Sequence, residues 1–135
     1  MADAESNKGV VRQYVEAFNR GDIPALTALF APDALIYGVL GWGGLDAAAP
    51  VWRELHDAFG IQLTIEAMAA EGDTVAVRYT ERGTFRRPFR GQEPTGRSYE
   101  LVAMEWFELA GGKIRRRWGA RDAASQARQL GLPLK

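Results

Sequence analysis

The sequence has no cysteine, which excludes disulfides and thiolate chemistry and makes a reducing, cytoplasmic compartment the default expectation. It has a single histidine, His56, so a histidine-rich metal site is ruled out. No acidic cluster suggests a carboxylate-only one, and neither a metal nor a cofactor is expected. It has no net charge: 17 Lys and Arg balance 17 Asp and Glu, which gives no reason to expect nucleic acid or an anionic membrane as partner. Long apolar runs are also missing, and nothing approaches the roughly 18 residues that span a bilayer. The start, Met1-Ala2-Asp3-Ala4-Glu5, lacks the basic and apolar regions of a leader. What is present is 47% hydrophobic and 25% charged, the balance of a chain that folds. Its 135 residues suit one domain, 1–135, because halves would be too small to hold a core.

Val11, Tyr14, Val15 and Phe18 form one apolar stripe, which predicts a first helix closed by Gly21. Asp22 is placed to cap a second, with Pro24 in its first turn and Pro32 ending it. A strand is expected from about Ala34 to Leu40, then a loop at Gly41-Trp42-Gly43-Gly44. Asp46 can cap a third helix carrying Val51, Leu55 and Phe59, which Gly60 stops. The period then changes to two. Strands are expected through Ile61, Leu63 and Ile65, from Val75 to about Phe85, from Tyr99 to Phe107, and from Lys113 to about Asp122. A short helical tail follows. Helices gathered on one face of a mostly antiparallel sheet define an α+β fold. A curved sheet wrapped around helices leaves a concave, mostly apolar opening of the kind that binds small ligands.

Several strings, in order, resemble the nuclear-transport-factor-2-like superfamily along nearly the whole chain. They are Tyr14-Val15-Glu16-Ala17-Phe18-Asn19-Arg20-Gly21-Asp22, Leu29-Phe30-Ala31-Pro32-Asp33-Ala34, Arg82-Gly83-Thr84 and Pro94-Thr95-Gly96-Arg97. Trp118 with Asp122 four residues on, and Gln129-Leu130-Gly131, look like the SnoaL-like polyketide cyclase branch. The resemblance implies a cone-shaped roll: a curved sheet around three N-terminal helices, enclosing a pocket for a small hydrophobic carbonyl compound. Tyr79-Thr80-Glu81-Arg82 and the ending Leu132-Pro133-Leu134 also look like limonene-epoxide hydrolases. Of the Arg and two Asp those enzymes use, Arg82 matches, but Thr84 and Gly119 stand where the carboxylates would be. Against ketosteroid isomerases, Glu105-Trp106-Phe107-Glu108-Leu109 places Glu105 at the oxyanion-hole position, while Tyr37, Gly38 and Val39 supply no general base.

The resemblance puts Asp122 where SnoaL-like cyclases carry an acid–base carboxylate; as a residue before a helix it is equally an N-cap. Glu105 alternates in step with Leu101, Ala103 and Phe107, so it is either a pocket carboxyl or half of an ion pair with Arg82 or Arg117. Arg82 could orient an enolate oxygen or form a surface pair. Tyr14, Phe18, Tyr37 and Trp42 are candidates for the cavity mouth, and Leu63, Leu101, Ala103 and Trp118 for its walls. His56 is expected at the surface, and Arg115-Arg116-Arg117 in a solvated or interface role. Cyclases often carry histidine or another polar group where Tyr37, Phe85 and Arg117 stand, so a more apolar pocket is expected. Three readings stay open: a cofactor-independent cyclase, isomerase or lyase; an epoxide-hydrolase-like hydrolase; and a non-catalytic binding domain. Met104 and Trp106 on the outer sheet face point to a homodimer.

Overall fold

The chain runs α1 (Ala4–Arg20), α2 (Ile23–Thr27), β1 (Phe30–Gly38), β2 (Gly41–Gly43), α3 (Leu45–Phe59), β3 (Gln62–Glu71), β4 (Thr74–Thr84), β5 (Ser98–Ala110), β6 (Lys113–Arg121) and α4 (Ala123–Leu130). This is a computed structural model and describes residues 3–38 and 41–133. The strands form one curved, unclosed sheet in the order β2-β1-β6-β5-β4-β3, antiparallel throughout except where β1 lies parallel to β6.

Helix ends follow the local chemistry of the sequence. Asp3 caps α1 by accepting from the Ser6 N–H at 2.8 Å, and Gly21 closes it in the left-handed conformation at φ 69°. A Cβ at Gly21 would lie 2.5 Å from His56 Nε2, so the half-buried His56 packs one edge of its ring against the joint between α1 and α3. Asp22 caps α2, with Pro24 in its first turn.

Three expectations need correcting. α2 closes at Thr27, and Pro32 belongs to β1. Proline gives the ladder no N–H, and the β1–β6 register is irregular between Phe30 and Leu35, where Pro32 sits. Gly41-Trp42-Gly43 is a short strand, not a loop, with Trp42 opposite Tyr37. Trp42 packs edge-on against Tyr37 and Trp118, with ring centroids 5.3 and 5.4 Å apart, which favours an extended strand despite the glycines. α3 starts from Gly44, which leaves Asp46 inside the first turn, where its charge faces the positive end of the helix dipole. The expected end of β1 at Val39 and Leu40, and Leu134 in the tail, lie outside the described residues.

Alternation divides the sheet into two faces. Val75, Val77, Tyr79 and Glu81 of β4 and Leu101, Ala103 and Phe107 of β5 are buried on the concave side, against α1 and α3. The convex side carries Val102, Met104 and Trp106 of β5, each about half exposed, with Leu35 and Tyr37 of β1 on the same side across β6.

Candidate functional site

Between the concave sheet face and the helices lies a cavity of about 620 Å³. Phe18, Val51, Trp52, Leu55, Ile61 and Leu63 make most of its wall apolar, from α1, α3 and the start of β3. Two carboxylates interrupt that wall, Glu105 and Glu81, each paired with an arginine from β6 and bonded to a tyrosine.

Glu105 faces inward because it is in phase with Ala103 and Phe107 along β5. Its Oε2 accepts from the Tyr14 hydroxyl at 3.0 Å and from Arg117 Nη1. The arginine reaches it because Gly119, opposite Glu105, has no side chain: a Cβ there would lie 2.5 Å from Arg117 Nη1. Glu105 Oε1 has no hydrogen-bond partner among the described residues, nor do the Tyr79 hydroxyl and Arg117 Nε. Only 9% of the Glu105 side chain and 10% of the Arg117 side chain are exposed, so this pair works in a medium where charge is costly.

The second cluster is closed. Arg121 crosses β5 over the small Ala103 to reach Glu81 on β4, donating from Nε to Oε1 at 3.1 Å and from Nη2 to Oε2. The Tyr99 hydroxyl donates to the same Oε2 at 2.6 Å, and Arg121 Nη1 bonds Gln126 Oε1. Both Glu81 oxygens are thus committed to the fold, as a forked guanidinium–carboxylate pair requires.

Burial, then the nearby carboxylates, pushes the phenols of Tyr14, Tyr79 and Tyr99 well above the usual tyrosine range. For both arginines burial alone would lower the pKa, but the carboxylate and phenol partners outweigh it and raise each. A raised tyrosine pKa means that the unfolded chain releases its protons first as pH rises. The stability these groups contribute is therefore complete below about pH 10 and lost above it. Absorbance at high pH should show three of the four tyrosines ionising only together with unfolding.

Of the residues singled out from sequence, the structure brings Tyr14, Phe18, Trp42, Leu63, Ala103 and Glu105 to the cavity wall. The others go elsewhere. Arg82 lies on the convex face, paired at 2.7 Å with Glu100, its register partner on β5. Tyr37 and Trp118 are on that face too, opposite each other in the β1–β6 pairing. Leu101 is buried in the core, and Phe85 is fully buried there, neither lining the cavity. Asp122 is exposed at the N-terminus of α4, where its Oδ1 accepts from the Ser125 N–H at 3.0 Å. Asp122→Ala should cost about 1 kcal/mol of stability, and Asp122→Asn, which caps nearly as well, a few tenths at most; thermal melts of the two variants check this.

Glu81, Arg121 and Tyr79 were not among the expected site residues, although Glu81 and Tyr79 share the inward phase of Val75 and Val77. Arg117, expected in a solvated or interface role, is buried in the cavity wall, which is less purely apolar than the sequence suggested.

A curved α+β roll with a part-open, mostly apolar cavity and two buried carboxylate–arginine pairs has the shape and lining of a small-molecule site. The chain belongs to the SnoaL-like domain family, whose model matches residues 11–117. Among solved structures it is similar to AclR, a candidate hydroxylase from Streptomyces galilaeus, at 26% identity and TM-score 0.88 over 97% of this chain and 100% of that one. It is similar to IdmH, a candidate polyketide cyclase from Streptomyces antibioticus, at 28% identity and TM-score 0.82 over 93% and 99%. A candidate polyketide cyclase from Xanthomonas campestris pv. campestris is 27% identical, with TM-score 0.88 over 96% and 99%. No curated protein matches at a significant level.

Proposed function

We propose that this chain is a small-molecule enzyme carrying out cofactor-independent acid–base chemistry, of the cyclase, isomerase or lyase type, on a hydrophobic carbonyl compound. The observation that carries this reading is Glu105: a carboxylate in the wall of an apolar cavity, with one oxygen held by Tyr14 and Arg117 and the other without a hydrogen-bond partner among the described residues. In this mechanism Oε1 removes a proton from the carbon next to the substrate carbonyl. The Tyr79 hydroxyl donates a hydrogen bond to the enolate oxygen as charge develops there. Glu105 then returns the proton to the same or another carbon, or the enolate carbon adds to a second carbonyl and closes a ring, and the alkoxide so formed takes the proton back from Glu105. The role assigned by resemblance to Asp122 passes to Glu105, which the fold holds inside the cavity. The cyclase names of similar structures support the reaction class.

The test needs no knowledge of the natural substrate. The protein should accelerate exchange of the α-protons of 2-tetralone for deuterium, followed by NMR, and Glu105→Gln should abolish the acceleration. If the ketone binds but the wild-type protein leaves its exchange at the buffer rate, the binding-domain reading replaces this one.

The convex face supports a homodimer in the same reading, because Val102, Met104, Trp106, Leu35 and Tyr37 would otherwise leave a contiguous apolar area in water. Sedimentation at micromolar concentration should give a dimer, and Trp106→Glu should shift it to monomer with the fold intact. A wild-type monomer would refute the dimer.

A further inference from the structure

We propose that a second copy of this chain packs on the convex face about a two-fold axis along the β5–β6 boundary, and that it completes the cavity by covering Trp42. This rests on the reading of the cavity as a ligand site and of the chain as a homodimer, and goes beyond both by making each depend on the other.

The register sets one row of convex residues across all six strands, from β2 to β3: Trp42, Tyr37, Trp118, Trp106, Ala76 and Ala69. Its bulk is unequal. Aromatic rings stand on β2, β1, β6 and β5, and methyl groups on β4 and β3. Sheets packed face to face keep their strands nearly aligned, so a two-fold axis along the strands, between the middle pair β6 and β5, turns this row end for end. It lays β2 over the partner's β3 and β1 over the partner's β4, so that Trp42 meets the partner's Ala69 and Tyr37 the partner's Ala76. Large side chains thus face small ones, and Trp118 faces the partner's Trp106. The next row repeats the pattern in charge. Glu108 and Arg116 are register neighbours on β5 and β6, and neither has an ion partner among the described residues. The same rotation sets Glu108 over the partner's Arg116, and Arg116 over the partner's Glu108. A surface that complements its own rotated image in bulk and in charge selects a copy of itself over a partner of one charge sign.

Trp42 connects this face to the cavity. Its ring packs on Tyr37 and Trp118, yet it borders the cavity, and 51% of it is exposed in the single chain. Strand β2, which carries it, is three residues long, two of them glycine, and is held to β1 by three register pairs. Glycine gives such an edge strand little packing of its own. The partner's β3, laid over Trp42, holds that wall from outside. Ligand and second copy therefore stabilise the same position of β2, and each tightens the other.

Ala69 provides the test, because within its own chain it stands at the opposite sheet edge from Trp42 and does not line the cavity. Titration calorimetry should show Ala69→Glu binding 2-tetralone roughly tenfold more weakly than the wild type, with an unchanged circular dichroism spectrum. Sedimentation should show Glu108→Arg weakening the dimer by roughly tenfold or more. Adding Arg116→Glu should restore it, since the swap only exchanges the signs across the axis. Saturating 2-tetralone should in turn tighten the wild-type dimer. Equal 2-tetralone affinity in Ala69→Glu and a dimeric wild type overturns the proposal, as does a charge swap that recovers nothing of what the single reversal loses. A monomeric wild type removes it together with the dimer, and a wild type that binds no 2-tetralone removes it together with the ligand site. These are equilibrium measurements, so failure of deuterium exchange with binding and coupling intact strikes the acid–base mechanism alone.

Discussion

Replacing Arg117 with leucine is expected to remove about 3–5 kcal/mol of stability, the range for leaving one member of a buried ion pair without its partner. The guanidinium and the Glu105 carboxylate are both almost entirely out of water, and Tyr14, the carboxylate's other partner, is neutral. Leucine would leave that carboxylate among Phe107, Ala103 and the aliphatic cavity wall with one neutral hydrogen bond. For a chain of this length the loss should lower the melting temperature by roughly 10–20 °C. The double variant Arg117→Leu/Glu105→Leu should recover most of it, because a well-packed apolar pair can replace a buried ion pair at little net cost. Denaturant melts of the two singles and the double give the coupling directly. A single-variant loss under about 1 kcal/mol would mean that water reaches the pair and that the cavity is wetter than its lining implies.

Glu105→Gln should lower the deuterium exchange of 2-tetralone by roughly 10²–10⁴-fold, the usual contribution of a positioned acid or base. At 1.36 kcal/mol per tenfold this is about 3–5 kcal/mol of barrier. Glutamine keeps the length of the side chain and an oxygen for Tyr14, but it cannot take up a proton. It also leaves Arg117 without its counter-charge, so some stability goes with the rate. The two effects separate if exchange is measured well below the variant's own melting temperature. Exchange within a few-fold of wild type would remove Glu105 from the chemistry, whatever it does for the fold.

The sequence disclosed most of what is decided locally. Asp22 with Pro24, Gly21 and Gly60 mark helix ends through backbone chemistry that needs no distant partner, and each stands where expected. Period two along β5 singled out Glu105 in step with Leu101, Ala103 and Phe107, without deciding between a pocket carboxyl and half of an ion pair. Two local helix-end readings, at Pro32 and Asp46, also missed, and the other failures depended on pairing between remote segments. Strand β2 exists through its ladder to β1 and the packing of Trp42 on Trp118, which no local string reveals. The arginine run misled because β6 has one residue too many: the register slips between Glu108 and Leu109, so Arg115 and Arg116 both point away and Arg117 turns inward. Simple alternation assigns such a strand to the wrong face, and the same slip hid that Trp118 lies outside while Arg121 lies within. Asp122 satisfied two patterns at once, and in the structure it meets the capping one, with its carboxylate bonded to the backbone of α4.

The parallel pairing of β1 with β6 also bears on how the chain folds. Phe30 meets Ile114 across the ladder, so two segments separated by most of the sequence must find each other before the sheet is complete. The β3–β4–β5 meander can assemble from neighbours, whereas β1 and β2 stay outside the sheet until β6 is in place. Contacts of such long sequence separation are entropically late and slow folding. The same strand brings Arg117 and Arg121. Until it docks, Glu105 and Glu81 lie in a half-built wall that water can still reach, and the charges are sealed in only as the last strand zips closed.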